Sequence, residues 1–250
     1  MTKGNGTVPP AGSQGKPPTA AAAERIAEWR EARAISALAA LYALLEVAVF
    51  AAFAWIPSVE STPSQIGAFK EWSGAPVVAR LAVILMPFVA VVFLWWTAAL
   101  RGWLLGHGRS VNRMLADVQL GSGICYITLV FVAAATMGAA VTGRLLGGFD
   151  VGPDVEHALA LVGRTVLMIY AMRMAAIFTS TTAKLGHEAG VLPTWFVRVS
   201  YAVALALFLV PTLDPWVSLV FPAWALLLAA VIHVERTRWA RRATRAVAAR

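Results

Sequence analysis

Charge is scarce in this chain of 250 residues: 14% are Asp, Glu, Lys or Arg, against about 25% in typical soluble domains. Cysteine occurs once, as Cys125, which excludes an intrachain disulfide. Hydrophobic residues make up 59% of the chain, more apolar surface than a water-soluble core of this size uses. The composition therefore predicts an integral membrane protein, in which Cys125 is expected to be a small buried apolar residue.

Other absences exclude further classes of site. The net charge is +8, but no zinc-finger, helix-turn-helix or RNA-binding signature accompanies the basic residues, so no nucleic-acid partner is expected. Lysine is rare and absent from the middle of the apolar stretches, which excludes a retinal Schiff base. The four histidines are scattered without ligand spacing, so neither a metal site nor a cofactor is predicted: His107, His157, His187 and His233.

Six apolar stretches are each long enough to cross about 30 Å of hydrocarbon as a helix. The sequence therefore predicts an all-α, polytopic transmembrane bundle over residues 34–234. Its six predicted spans are 34–56, 77–100, 118–142, 158–182, 195–213 and 216–234.

The segments outside this bundle differ in composition. Residues 1–18 are rich in Gly, Pro and polar residues and predict a disordered cytoplasmic leader. Residues 19–33 predict a juxtamembrane helix. The basic segment 235–250 predicts a cytoplasmic tail that continues the last helix and rests on anionic lipid headgroups.

The basic residues predict the orientation, because Lys and Arg are retained on the cytoplasmic side during insertion. The N-terminal segment, the second and fourth connections and the C-terminal tail together hold 16 of the 21 basic residues. These segments share one side of the membrane only if the number of helices is even. Both termini are therefore expected to face the cytoplasm.

Besides Arg80 and Arg198, which lie three residues from the ends of their spans, three charged residues lie deeper inside the predicted spans: Glu46, Arg164 and Arg173. Each costs about 2.5 to 3.5 kcal/mol on insertion scales unless it finds a partner or a hydrated cavity. Arg164 lies near the outer edge and leans outward, so its side chain is expected to reach the headgroups. Glu46 lies near the midplane, where a short side chain reaches neither interface.

Arg173 leans towards the bilayer centre, and Glu46, on a helix of opposite direction, leans towards the same level. The sequence therefore predicts a Glu46–Arg173 ion pair between the first and fourth spans, flanked by Tyr42 and Tyr170. Three alternatives stay open for these residues. The pair simply joins the helices, Glu46 titrates or contacts a substrate, or Glu46 is protonated and unpaired.

Prolines interrupt two predicted spans, Pro87 in the second and Pro222 in the sixth. Each removes a backbone donor and predicts a kink with an exposed carbonyl group four residues earlier. Such kinks line cavities in transporters, but proline is also common in membrane helices that only pack together.

A serine hydrolase was considered for Ser122, within Gly121-Ser122-Gly123, with His233 as its base. The sequence offers no oxyanion hole, and small residues at a helix interface explain this tripeptide better. The protein is therefore not expected to be an enzyme.

The last third of the chain carries recognisable motifs: Tyr-Ala-Met-Arg-Met at 170–174, Gly-Val-Leu-Pro-Thr-Trp at 190–195, Pro-Trp-Val at 215–217 and Phe-Pro-Ala-Trp at 221–224. This stretch resembles a pattern in uncharacterised six-helix membrane proteins of high-GC Gram-positive bacteria. The resemblance implies a multi-pass protein of a bacterial plasma membrane and implies no activity.

The function favoured by these features is a small transporter or permease for an ion or small solute, with Glu46 and Arg173 in its interior. The alternative is a non-transporting scaffold or accessory subunit that packs against a partner membrane protein or a second copy of the chain. Either way, the lipid bilayer is the expected surrounding.

Overall fold

The structure, a computed structural model, describes residues 18–55, 64, 75–107, 112–143, 147–148, 151–209 and 214–248, and these contain no β-strand. The apolar stretches form helices, as expected where every backbone polar group needs an internal partner. The elements are α1 Pro18–Trp55, α2 Ala75–His107, α3 Arg113–Thr142, α4 Pro153–Thr165, a π-helical segment Val166–Ala171, α5 Met172–Glu188, α6 Thr194–Leu209, a 3₁₀ turn Pro215–Leu219 and α7 Val220–Ala248.

Five helical segments in the described part of the chain are long and apolar enough to cross a membrane: Arg30–Ala51, Ile84–His107, Arg113–Thr142, Pro153–Glu188 and Trp216–Glu235. They correspond to the first four predicted spans and the sixth. The predicted fifth span is represented by α6, which has 16 residues. A helix of that length reaches about 24 Å, less than the hydrocarbon thickness. Residues 210–213, the end of that predicted span, lie outside the described residues.

The predicted segments beside the bundle are joined to it by continuous helix. The predicted juxtamembrane helix 19–33 forms the first part of α1, which runs without interruption into the first span. The basic tail continues α7 as a helix as far as Ala248. The predicted leader lies outside the described residues, apart from Pro18.

The helices close into a ring in chain order. Helix α1 packs against α2, and α2 packs against α3. Helix α3 in turn packs against α4, the π-helical segment and α5, while α5 packs against α6. The ring closes where α7 contacts α6 and packs along α1. Short connections between sequential neighbours favour this arrangement, and it directs one face of each segment towards a common centre.

Helices α3 and α4 approach each other most closely at Gly163. A Cβ atom added there would lie 2.5 Å from both Met137 Cγ and Thr136 Oγ1, and 2.7 Å from the carbonyl oxygen of Ala133. Real Cβ atoms do not come so close to backbone. Small residues permit such approaches between membrane helices, so Gly163 sets the distance between α4 and α3.

The two prolines predicted to interrupt spans occupy different positions within their helices. Pro87 lies inside α2, as predicted, and α2 continues on both sides of it. Pro222 is the third residue of α7, directly after the 3₁₀ turn. The kink predicted at Pro222 stays a prediction, and the structure places this proline in the first turn of α7. The first turn of a helix needs no backbone donors, which is why proline is tolerated there.

Candidate functional site

Aromatic rings fill the centre of the helical ring. We call this group the aromatic centre. Helices α1, α2, α3, α5, α6 and α7 contribute side chains to it. Each of these side chains is buried. The members are Tyr42, Phe93, Trp96, Tyr126, Phe178, Phe196, Phe221 and Trp224.

Phe93 of α2 lies in the middle of the aromatic centre. Its ring centroid lies 5.0 Å from that of Tyr42, 5.3 Å from Tyr126, 5.6 Å from Phe178 and 6.1 Å from Phe221. Most of these pairs are tilted or edge-on, the geometry that ring quadrupoles prefer. Four other helices therefore meet on one side chain. In lipid such contacts stabilise a bundle by packing rather than by expulsion of water.

Two tyrosines place polar atoms within the aromatic centre. The hydroxyl groups of Tyr42 on α1 and Tyr126 on α3 lie 3.1 Å apart and share a hydrogen bond. Both side chains are fully buried. A hydrogen bond between α1 and α3, which are not neighbours in the ring, therefore crosses its centre.

Glu46 lies one helical turn beyond Tyr42 on α1. Its carboxyl group is close enough to interact electrostatically with the hydroxyl groups of both Tyr42 and Tyr126. The residue as a whole is half-buried. Its Oε2 atom, however, is buried and has no hydrogen-bond partner among the described residues. The structure thus brings together Tyr42 and Glu46, as predicted, and adds Tyr126.

The predicted ion pair between Glu46 and Arg173 is wrong. Arg173 Nη1 donates to the backbone carbonyl oxygen of Ile169, on its own helical segment. Helix α1 packs against α2 and α7, whereas α5, which carries Arg173, packs against α3 and α6. Tyr170, the predicted neighbour of the pair, is 55% exposed on the outer surface.

The π-helical segment explains why Arg173 needs no partner from α1. The backbone N–H of Met172 donates to the carbonyl oxygen of Leu167, five residues earlier, so the regular pattern of helical hydrogen bonds changes just before Arg173. Where that pattern changes, a side chain can supply a backbone carbonyl group with a donor. The long arginine side chain does so at Ile169. Arg164 is half-buried near the end of α4.

A second group of buried polar side chains lies between α2, α3 and α5. We call it the polar cluster: Thr97, Gln119, Ser122, Thr179 and Thr182, all buried. Gln119 Nε2 donates to Thr182 Oγ1 at 3.3 Å, and Ser122 Oγ donates to the carbonyl oxygen of Gln119 at 2.9 Å.

Three atoms of the polar cluster have no hydrogen-bond partner among the described residues: Thr97 Oγ1, Gln119 Oε1 and Thr179 Oγ1. A buried polar atom without a partner costs about 1 to 3 kcal/mol. Several such atoms in one place are unusual in native proteins and call for a physical explanation. The cluster is therefore a second candidate for function beside Glu46.

Contacts along the helices place the polar cluster next to the aromatic centre. Thr97 Cγ2 and the Phe178 ring both lie 3.2 Å from the position of a Cβ atom at Gly123. Gly123 follows Ser122 directly, and Tyr126 comes three residues later on the same face of α3. The cluster thus begins one turn below the tyrosine pair.

At its other end the cluster approaches an exposed ion pair. Arg101 of α2 donates to the carboxylate of Asp117 on α3, and its Nε donates to the carbonyl oxygen of Ala116 at 3.3 Å. Asp117 precedes Gln119 by two residues and its side chain is exposed. Charged groups therefore lie at the end of α2 and α3 that leads to the polar cluster.

The features considered for a hydrolase do not form a catalytic arrangement in the described residues. The hydroxyl group of Ser122 donates to the carbonyl oxygen of Gln119, and His233 is exposed on α7. Cys125 is exposed, so its expected burial is wrong. The reason is helical spacing: Ser122, Gly123 and Tyr126 share the inner face of α3, and Cys125 lies on the opposite face.

Neither Tyr126 nor the polar cluster was predicted from the sequence, where Ser122 was named only as a candidate nucleophile. A signal was present in the predicted third span, where Gln119, Ser122 and Tyr126 recur at helical spacing on one face. Thr179 and Thr182 repeat the pattern in the fourth. These residues are uncharged, so a search for buried charges alone passed over them.

No family model, curated protein or solved structure matches the chain. Any function therefore has to be argued from the site itself.

Proposed function

We propose that the protein is a proton-coupled transporter for an ion or small solute, with Glu46 as the group that takes up and releases the proton. In this proposal the chain crosses a bacterial plasma membrane six times, α6 included, and both termini face the cytoplasm. The distribution of Lys and Arg supports that orientation.

The observation that carries the proposal is the environment of Glu46. A carboxyl group within a transmembrane segment is costly, and such groups mark proton and ion pathways by default. Glu46 Oε2 is buried without a hydrogen-bond partner among the described residues. Arg173 does not neutralise it, since Arg173 donates to the carbonyl oxygen of Ile169. A carboxyl group in this setting is suited to changing its protonation state rather than to joining two helices.

The surroundings favour a proton over a large solute at this position. Ring centroids in the aromatic centre lie 4.8 to 6.4 Å apart, which is contact packing. Tyr42 and Tyr126 carry hydroxyl groups that both donate and accept, as a proton relay requires. Transport of a larger solute would need the helical ring to open.

The same packing supports a second candidate, a non-transporting scaffold or accessory subunit. Eight buried rings that join six helical segments would also suit a rigid body whose role is to hold a partner membrane protein or a second copy of the chain. In that case Glu46 would be protonated throughout and its exchange for glutamine would have no effect on proton movement.

Proton flux into proteoliposomes tests the two candidates. The purified protein is reconstituted with a pH-sensitive dye inside, and a potassium diffusion potential drives proton entry. The proposal predicts flux above that of protein-free liposomes, and Glu46→Gln is expected to abolish it. Glu31→Gln is the matched control, since Glu31 lies on the same helix and is exposed.

Wild-type flux that persists in Glu46→Gln would overturn the role of Glu46. Absence of flux in the wild type, together with a membrane protein that co-purifies at a fixed ratio, would favour the scaffold.

A further inference from the structure

We infer that the polar cluster binds water and that this water connects Glu46 to one side of the membrane only, the side of the Arg101–Asp117 pair. The inference rests on the proposed function for the role of Glu46, but hydration of the cluster is a separate physical property and can be tested without any transport assay.

The unpaired atoms of the polar cluster are the first argument. Thr97 Oγ1, Gln119 Oε1 and Thr179 Oγ1 are buried, belong to three different helices and have no hydrogen-bond partner among the described residues. Their parent residues show no exposed surface. Buried polar groups in folded proteins are paired with protein or with ordered water, and buried waters typically make about three hydrogen bonds. Water is the ligand with donors and acceptors for all three atoms.

The helix register supplies the second argument, which is that the three atoms lie at neighbouring levels. Gln119 on α3 is hydrogen-bonded to Thr182 on α5, and the two helices are antiparallel. One turn closer to the aromatic centre, Ser122 on α3 and Thr179 on α5 therefore lie at the same level. The contact of Thr97 Cγ2 with the Gly123 position places α2 at that level too. Groups at one level between three helices can share the same waters.

Continuity along α3 is the third argument. The inner face of this helix carries Ala116, Gln119, Ser122 and Tyr126 in turn, and Arg101 of α2 binds the carbonyl oxygen of Ala116 at the end where Asp117 is exposed. Tyr126 is hydrogen-bonded to Tyr42, and Glu46 follows one turn later on α1. From Asp117 to the tyrosine pair the rise is about 14 Å. Hydroxyl and amide groups occur at every turn of that path.

The path has one open end because the face changes character beyond Tyr126. The next residues on the inner face of α3 are Val130 and Ala133, both buried and apolar. They offer no hydrogen bonds to water. Among the described residues, the charged and titratable groups next to the path are Arg101 of α2 at its outer end, Tyr126 of α3, and Tyr42 and Glu46 of α1, while Asp117, the partner of Arg101, is exposed. Protons therefore reach Glu46 from the Arg101–Asp117 side.

Hydrogen–deuterium exchange of a single thiol tests the hydration directly. Cys125→Ser removes the native thiol, which is exposed, and Ser122→Cys places a new one in the polar cluster. Infrared spectroscopy of the full-length protein in liposomes then follows the loss of the S–H band in D₂O. We expect exchange at least about tenfold faster than at the control Ala133→Cys, which lies on the same face beyond Tyr126.

The outcomes separate the two proposals. If Ser122→Cys exchanges as slowly as Ala133→Cys while Glu46→Gln still abolishes proton flux, the water path is wrong and the role of Glu46 stands. If Ser122→Cys exchanges quickly but flux does not depend on Glu46, the polar cluster is hydrated and the proposed function fails.

Thr179→Val gives an independent measurement in case the cysteine variants fold poorly. Valine has nearly the shape of threonine but forms no hydrogen bond. If Thr179 Oγ1 binds water, the variant loses that bond, so its melting temperature falls and Glu46-dependent flux slows by about tenfold. A rise in melting temperature would show that the hydroxyl group is dry and unpaired, and would overturn the inference.

Discussion

Glu46 and Arg173 are both ionisable residues in the middle of an apolar helix, but their surroundings in the structure differ. Arg173 binds a carbonyl oxygen of its own segment, beside the π-helical turn. Glu46 points into the helical ring, next to two tyrosine hydroxyl groups, and retains an unpaired buried oxygen. The comparison teaches that a long donor can find an acceptor on its own helix, whereas the surroundings of a short acceptor depend on which side chains the tertiary structure brings beside it.

The largest expected effect is on stability and concerns the contact of α4 with α3. Helix α4 leads through the π-helical segment into α5, which carries Arg173. Gly163→Ala should destabilise the protein by about 1 to 3 kcal/mol, because the new Cβ atom would overlap Met137, Thr136 and the backbone of Ala133. Reversible unfolding in mixed micelles measures this. Gly121→Ala is the control, since a Cβ atom there meets nothing within 4 Å. Equal stability of the two variants would contradict the close approach of α4 to α3.

A loss of stability of the same order is expected where the Arg173 side chain binds the backbone. Arg173→Met removes the donor to the Ile169 carbonyl group but keeps an apolar side chain of similar length. We expect a loss of about 1.5 to 3 kcal/mol in unfolding free energy, the range for a hydrogen bond to a charged group. If Arg173 instead held Glu46, Arg173→Met would also change Glu46-dependent proton flux. The flux of this variant should equal that of the wild type.

On the Glu46 side, the hydrogen bond between Tyr42 and Tyr126 is expected to contribute about 1 kcal/mol. Tyr42→Phe and Tyr126→Phe should each lower the unfolding free energy by that amount. The double variant should lose little more than either single variant, because both changes break the same bond. Additive losses would show that the hydroxyl groups do not bond to each other.

The smallest expected effect is the coupling between Glu46 and Arg173. In a double-mutant cycle of Glu46→Gln and Arg173→Gln, the unfolding free energies should add within about 0.5 kcal/mol, as for residues that share no contact. A coupling above that value would restore the ion pair and reverse the comparison from which these predictions start.

Much of the fold could be predicted from the sequence, because a helix that spans lipid is recognised by the length of one continuous apolar stretch. The first four predicted spans and the sixth overlap the long apolar helices of the structure. The fifth prediction was less complete, since α6 has 16 residues in the described part. The 3₁₀ turn that precedes Pro222 was not predicted, because it has no clear apolar signature.

The site was predictable only in part. Glu46 and Tyr42 were identified from depth and spacing along one helix, and the structure places Tyr42 in the aromatic centre. The neighbours of Glu46 on other helices were not predicted, because the depth of a residue in the bilayer does not show which helices are adjacent. Arg173 has the right depth, but it lies on α5, on the other side of α3 from α2 and α1. Tyr126 and the polar cluster carry no charge and so gave a weaker signal.

By itself, the sequence determined that this protein is helical and that its helices are long and apolar enough to cross a membrane, because apolar composition and segment length are properties of each stretch of chain alone. The tertiary structure decided that Tyr42 meets Tyr126, that Arg173 turns to its own backbone, and that Thr97, Gln119 and Thr179 share one buried level. These are contacts between distant parts of the chain, and they depend on how the helices are rotated and ordered around the ring. Side-chain packing between helices sets that rotation, and no single apolar stretch contains it.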